Sequence, residues 1–304
     1  MLASVLINNY NYEAYLEEAI ASALNQTYHS VEVVVVDDGS SDDSRRIIKK
    51  FGDLVTPVFK QNGGQASAIN AGFQACRGEV IFLLDADDCF KPNKVARVIE
   101  LFEENPDSGW CFHELEEVNR DGQPVFKRNR HKITNLEVVN LQSVFTGGKN
   151  FAHWFPATSG LGFRRKVLNK VLPMPEEFKV SADALIRLVA IYLSSGILSP
   201  EMLATHRQHG RNLYEFRSDI HIERSKVGIK TAYFLSQLIP ETRPFTNKNF
   251  IFHIGKLAEY ASLNQASSLP ESKLYIKHEK NIVFRIKLEI YKLKGHFKRL
   301  IKSR

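Results

Sequence analysis

The stretch GEVIFLLDADDCF, Gly78–Phe90, runs five apolar residues, Val80 to Leu84, directly into three carboxylates, Asp85, Asp87 and Asp88. The apolar run has the length and composition of a strand buried on both faces, as in a parallel sheet. Carboxylates packed this tightly at its end repel and raise one another's pKa unless a cation or strong donors compensate. A hard divalent metal does so naturally, taking oxygen ligands and sharing them with substrate phosphates. The stretch therefore sets two expectations: a buried parallel strand, and a ligand-binding edge where it ends.

Working outward, strand and helix patterns alternate. ASVLI (Ala3–Ile7) is a short apolar run, and the segment after it carries Ala14, Leu16, Ala19, Ile20, Ala23 and Leu24 at helical spacing. VEVVVVDDGSSDDS, from Val31, is nearly all β-branched until Asp37 and Asp38, and then supplies turn and cap residues for a helix in SRRIIKKF. LVTPVFK leads to QNGGQASAINAGFQACRG, a Gly-rich turn and a small-residue helix closed by Gly78. This order predicts an α/β fold, a Rossmann-like, mostly parallel sheet with flanking helices. Two of its strands end in carboxylates, and in open parallel sheets that edge holds the ligand crevice. Taken singly, VVVVDDGS reads equally as a helix N-cap on a surface loop.

The ligand is narrowed by what is missing. NNYNYE follows the first strand where a dinucleotide fingerprint would place its glycines, and the chain has no Walker loop. A metal-bridged nucleoside diphosphate suits the residues better. Asn8 and Tyr10 after strand one, Asp38 after strand two and Asn62 in the Gly turn are placed to hold base and ribose, with the carboxylate knot holding metal on the diphosphate.

Composition sets the bounds. The chain has 304 residues, 43% of them hydrophobic, ample for a core. Cys76, Cys89 and Cys111 make neither a disulfide framework nor a zinc signature, so a reducing cytoplasm is expected. No leader pattern opens the sequence, and no run reaches the roughly 18 apolar residues of a membrane span. The net charge of +7 is localised: Glu271–Arg304 has eleven Lys and Arg against three Glu, 11 − 3 = +8, leaving −1 for the rest. From about Tyr214 the chain reads as helices broken at IPETRP and SSLPES, which predicts a catalytic domain over 1–213 and a helical C-terminal region over 214–304.

Taken together, ASVLINNYNYEAYLEEAIASALNQTYHSVEVVVVDDGSSDDS, NGGQASAINAG, GEVIFLLDADD, SADALIRL and HRQHGRN resemble, in order and spacing, the motifs of family 2 inverting glycosyltransferases with the GT-A fold. The resemblance covers roughly Ala3 to Asn212. It implies Asp85 on the ribose, Asp87 on a divalent metal (Mn²⁺ or Mg²⁺) with Asp88 beside it as support or ligand, and Asn8, Tyr10, Asp38 and Asn62 lining the nucleotide pocket. It implies Arg207 as a diphosphate partner and His209 as a metal or phosphate contact. A UDP-sugar is the expected donor, and a glycan or lipid-linked hydroxyl the acceptor.

Inverting displacement at an anomeric carbon needs a base for the acceptor proton and a cation for the departing diphosphate. Asp183, in KVSADALIRL, matches the family's base. Read alone, VSAD is equally a helix start with Ser181 as cap. His206 and His209, three apart, are as compatible with surface or core as with a ligand role. Trp154 and Phe155, beside the acceptor segment in the resembling family, are candidates for stacking on a sugar, although buried core aromatics are commoner.

The pattern is not complete. Ile69 stands where a basic residue is common, and Ala182 where Glu commonly precedes the base. Gln-x-x-Arg-Trp, the mark of processive synthases, is absent, which points to transfer of a single sugar, in cell-surface polysaccharide or glycolipid assembly. A sugar-nucleotide pyrophosphorylase would open with a Gly-rich basic loop absent here, and a nucleic-acid binder would want Lys and Arg, not Asp, at the strand ends. A non-catalytic sugar-nucleotide binding module remains the alternative. In the tail, Ile282, Ile286, Ile290, Leu293, Phe297 and Leu300 form one helical stripe among Lys and Arg. Either the stripe docks on the catalytic domain, or it attaches the protein peripherally to an anionic membrane surface.

Overall fold

The computed structural model describes residues 1–125, 133–149, 151, 155–210, 218–262, 265 and 268–302. The chain divides into two compact units, one formed by Met1–Leu141 with Ala152–Arg211, the other by Gln142–Phe151 with Asn212–Arg304.

In the first unit β1 (Ala3–Asn9), β2 (Val31–Asp37), β3 (Thr56–Phe59) and β4 (Val80–Asp85) pair in parallel, in the order β3-β2-β1-β4. The sheet continues through β7 (Leu161–Arg164), antiparallel to both neighbours, then β5 (Trp110–Asn119), β8 (Gly196–Gln208) and β6 (Glu137–Val139), giving eight strands among the described residues. From β1 the chain builds outward through β2 to β3, then crosses back to place β4 on the other side of β1. The strand order thus reverses at the β1/β4 seam, where Asn8 is paired with Asp85, while Asn9 is paired with Asp37 one seam over.

Burial explains why these runs are strands. Val5, Ile7, Val33, Val35, Phe82 and Leu84 pack in one core with Leu16, Ala19, Ile20 and Ala23 of α1 (Glu13–Leu24), Ile47 and Ile48 of α2 (Ser44–Lys50), and Val95, Val98, Ile99 and Phe102 of α4 (Lys94–Glu104). Each fully buried large side chain contributes about 1.5–3 kcal/mol. The alternate residues Leu6, Val34 and Val36 are also buried. On that face α3 (Gln65–Ala75) crosses at Gly72, where a Cβ would lie 2.7 Å from Val36 and 2.9 Å from Leu6. Ile69, the departure noted in the sequence, is fully buried in this packing.

The second unit is helical: α5 (Gln142–Thr146), α8 (Ile220–Leu238), α9 (Arg243–Tyr260), α10 (Pro270–His278) and α11 (Ile282–Lys302), with α6 (Arg165–Leu168) and α7 (Asp183–Leu193) belonging to the first unit. Pro240 and Pro244 stand at the break between α8 and α9, and Pro270 opens α10, as the sequence breaks predict. Ile229, Phe250, Ile254, Leu257, Tyr275, Phe284 and Leu288 share a core. Gly295 sits where a Cβ would overlap the Gly255 carbonyl oxygen, so the residue that weakens α11 as an isolated helix permits its backbone to meet α9. The docking face is not the apolar stripe. Phe284, Leu288 and Gly295 point inward, whereas the six stripe residues are between 44% and 72% exposed.

Candidate active site

The three carboxylates after β4 separate in direction. Asp85 accepts from Asn8 Nδ2 at 2.9 Å and from Gln65 Nε2 at 3.4 Å. Asp87 Oδ2 meets His209 Nε2 at 3.0 Å. Asp88 turns inward, 1% exposed, accepting from Ser159 Oγ at 2.6 Å and the Arg207 backbone amide at 2.8 Å. Burial pushes the Asp85 carboxyl up to about 6, and the neighbouring charges of Asp87 and then Asp183 act the same way. Burial pushes Asp88 to about 8; His206 pulls it back, while Asp87 and Asp85 add to the rise. The knot therefore resists full ionisation near neutral pH, the electrostatic condition that a bound cation relieves.

Ser159 explains how so much like charge is tolerated. It lies in the turn Thr158–Gly160, donates to Asp88, accepts the Asp85 amide at 3.2 Å and, through its carbonyl, accepts Lys94 Nζ at 2.6 Å. Lys94 is fully buried over the Phe90 ring, 3.3 Å from its centroid, and burial drives its pKa well below the usual lysine value. Neither role has a sequence signature, because Lys94 opens an amphipathic helix and Thr-Ser-Gly reads as an ordinary turn.

Asp38 is 3% exposed and accepts from Lys60 Nζ at 2.6 Å and from the Gly63 and Gly64 amides at 2.9 and 2.7 Å. It holds the Gly turn in place. Gly64 adopts φ +85°, and a Cβ there would lie 2.7 Å from Lys179 Cα, so both conformation and contact require glycine. Asn62 and Tyr10 are exposed beside these strand ends, Tyr10 at 38%.

Asp183 comes from a distant part of the chain, and the route is visible. The Gln65 and Ala66 amides donate to the carbonyls of Lys179 and Phe178, and Lys179 Nζ donates back to Gly63 O. The Gln65 side chain then spans the gap, Oε1 accepting the Ala182 amide at 2.9 Å while Nε2 reaches Asp85. Asp183 thus begins α7 close enough to Asp85 for its charge to act there. It is 9% exposed and pairs with Arg187 NH1 at 3.0 Å; that guanidinium also donates to Pro156 O and lies 5.8 Å from the Phe155 centroid. Phe155 packs edge-on against Phe112. Trp154 lies outside the described residues.

The end of β8 brings in the last pair. Arg207 is 4% exposed, and its side chain donates to Asp87 O at 2.9 Å, Arg120 O at 3.0 Å and Glu18 Oε2 at 2.6 Å. These bonds spend the guanidinium on the protein's own oxygens, bracing the loop that carries Asp87. His209 stacks on Tyr15 at 4.7 Å and meets Tyr12 edge-on at 5.6 Å, which fixes the ring facing Asp87. His206 instead pairs with Glu117 at 3.1 Å. Among the described residues no group of three or more His, Cys, Asp or Glu is arranged as a metal cage. Asp87 and His209 nevertheless pair an oxygen and a nitrogen donor, with the Asp85 carboxylate nearby, a donor set that fits part of a divalent shell completed by ligand oxygens.

The glycosyl transferase family 2 model matches residues 4–172. The chain belongs to glycosyl transferase family 2. A glycosyltransferase of Nostoc sp., itself uncharacterized, is 40% identical over 217 residues, 70% of this family 2 chain and 66% of that protein. The chondroitin synthase of Escherichia coli is 30% identical over 156 residues, 48% of this chain and 22% of the synthase, so only part of such relatives' length is spanned. Among solved structures, Staphylococcus aureus TarS residues 1–349, in complex with UDP-GlcNAc, superposes with TM-score 0.65 at 19% identity, covering 99% of this chain and 92% of that one. The mannosyltransferase PcManGT of Pyrobaculum calidifontis, in complex with GDP-Man and Mn²⁺, gives 0.56 at 17%, covering 99% and 88%. Both share the fold, that of a GT-A glycosyltransferase.

Proposed function

We propose that this family 2 enzyme transfers one sugar from a nucleoside-diphospho-sugar to an acceptor hydroxyl with inversion at the anomeric carbon, aided by a divalent metal. The observation that carries the reading is the Gln65 bridge, which sets a buried carboxylate, Asp183, beside the strand-end carboxylates of the β1/β4 seam. A nucleotide-binding edge alone would not need it, and this weighs against a non-catalytic binding module.

Asp183 takes the proton from the acceptor hydroxyl as that oxygen bonds to the anomeric carbon and the diphosphate departs with the bonding electrons. Arg187 fixes the carboxylate's orientation. Asp85, held by Asn8, accepts from the donor's ribose, and Tyr10 and Asn62 border the base. Asp38 shapes the Gly turn that lies beside it. Asp87 and His209 would hold the metal, with Asp88 and Arg207 bracing the loop from behind. When bound, the metal supplies positive charge that stabilises the leaving diphosphate. TarS was solved with UDP and with UDP-GlcNAc, and PcManGT with GDP-Man and Mn²⁺, which supports a nucleotide-sugar donor and a divalent ion, with a UDP-sugar first to be tried. Similarity to a chondroitin synthase supports a glycan acceptor in polysaccharide or glycolipid assembly.

Calorimetric titration of UDP, GDP, ADP and dTDP, with Mn²⁺, with Mg²⁺ and with chelator, tests the reading on the wild type and on Asp87→Ala. One nucleotide should bind in a metal-dependent way and lose at least about tenfold in affinity in the variant. If a folded wild type binds none of them, the donor assignment is wrong.

A further inference from the structure

The sequence allowed the stripe of α11 to be the face that docks, and the structure reverses this. Phe284 and Leu288 are 4% and 1% exposed, Phe284 lies 6.0 Å from the Phe250 ring, and Gly295 lies against Gly255. Ile282, Ile286, Ile290, Leu293, Phe297 and Leu300 stand on the roughly opposite face, each at least 44% exposed. A helix that has already met its packing requirement thus carries a second apolar face, one that leaves large side chains in water.

Its surroundings identify the occupant. At about 3.6 residues per turn, Lys287, Lys294 and Lys298 border one edge of the stripe, and Arg285 borders the other beside Glu289, whose charge is paired with Lys292 at 2.7 Å; the four bordering cations are exposed. Over Ile282–Lys302 there are seven Lys and Arg against one Glu. A second copy of this chain meeting the stripe would bring two such basic rims together, and a cationic or neutral partner gains nothing from them. An anionic lipid surface satisfies both features, taking the apolar side chains below its headgroups and the basic rim at headgroup level. No described helix is long and apolar enough to cross a membrane, which agrees with a helix lying in the interface plane.

We infer that α11 is an interfacial anchor, binding anionic lipid surfaces through the Ile286–Leu293–Phe297 stripe and its Lys and Arg rim. Its back face is held on α9, so the helix is formed before it meets lipid and loses no ordering entropy on binding. The inference is independent of the donor and of turnover, and its test reads binding alone.

The test is co-sedimentation of the full chain with phosphatidylcholine vesicles, and with vesicles in which roughly a third of the lipid is anionic phosphatidylglycerol. The wild type should sediment with the anionic vesicles, stay in solution with the neutral ones, and dissociate as salt is raised. Ile286→Ser/Leu293→Ser/Phe297→Ser should need at least about tenfold more lipid, as should Lys287→Glu/Lys294→Glu/Lys298→Glu. All six positions are exposed, and circular dichroism should find both variants as helical as the wild type. Equal sedimentation of wild type and both variants overturns the anchor, as does a wild type that ignores anionic vesicles. A concentration-dependent dimer that the serine variant abolishes, without vesicle binding, overturns it in favour of an interface between copies.

Discussion

Replacing Asp183 by Asn separates catalysis from binding with little steric change. The amide is isosteric with the carboxylate, and its Oδ1 can still accept from Arg187 NH1, 3.0 Å away in the wild type. What is lost is the charge in a pair whose side chains are 12% and 19% exposed, so the stability cost is about 1–3 kcal/mol and the protein remains folded. What is removed from the reaction is the proton acceptor. General-base catalysis contributes about 10²–10⁴-fold, or about 3–5.5 kcal/mol of barrier. The initial rate of nucleoside diphosphate release, with donor and acceptor saturating, should fall by that factor. Donor affinity, measured by calorimetry, should stay within about threefold, because Asp183 lies on the acceptor side of Asp85 in this reading and its like charge opposes the ionised form of Asp85. A rate within about threefold of wild type would refute the assignment and send the search for the base elsewhere.

Three further substitutions probe the supporting structure. Gln65→Leu removes the acceptor of the Ala182 amide and the donor to Asp85, and should lower kcat by about 10–100-fold while leaving KM for the donor within about threefold, since Asp183 loses its placement. Ser159→Ala leaves the buried Asp88 without its hydroxyl donor and should cost about 1.5–3 kcal/mol in urea denaturation, with an unchanged slope. His113 is fully buried and held well below its usual pKa, by burial first and the Lys94 charge second, with Nδ1 against Glu114 O. The unfolded chain protonates this residue near pH 6.5 and the folded one does not, so its contribution is intact above that pH and is lost below it, at up to about 1.4 kcal/mol per pH unit. The stability of His113→Leu should fall less steeply than wild type between pH 6.5 and 5, by urea midpoints.

The parallel half of the sheet was legible because buried strands on both faces must be apolar throughout, and Val33–Val36 and Val80–Leu84 have no other use for such runs. The helical breaks were legible because Pro ends and begins helices for covalent reasons. The antiparallel insertion of β7 between β4 and β5 was not, since LGFR is four residues with no period to read. The face by which α11 docks was hidden for a related reason. Phe284 and Leu288 are too few to outvote the stripe in any periodicity, and the contact that decides it is backbone on backbone at Gly295. Within an isolated helix that glycine is only a weakness.

The knot of carboxylates was legible as a charged cluster at a strand end, and only the family resemblance gave Asp85, Asp87 and Asp88 separate expected roles. Spacing cannot distinguish Asp87 from Asp88, because adjacent residues in a turn point apart, and which one faces outward depends on partners over 70 positions away. Ser159 and the Arg207 amide draw Asp88 inward, and His209 meets Asp87. Arg207 sets two roles against each other. A basic residue next to an expected diphosphate suggests a phosphate contact, whereas its guanidinium bonds to Asp87 O, Arg120 O and Glu18 Oε2, which suits bracing of the loop that carries Asp87. Arg207→Lys keeps the charge but cannot make the forked set of bonds, so if Arg207 acts by bracing, Lys should fail nearly as badly as Ala in metal-dependent nucleotide binding. If it acted as a simple cation on the diphosphate, Lys would restore most of the affinity.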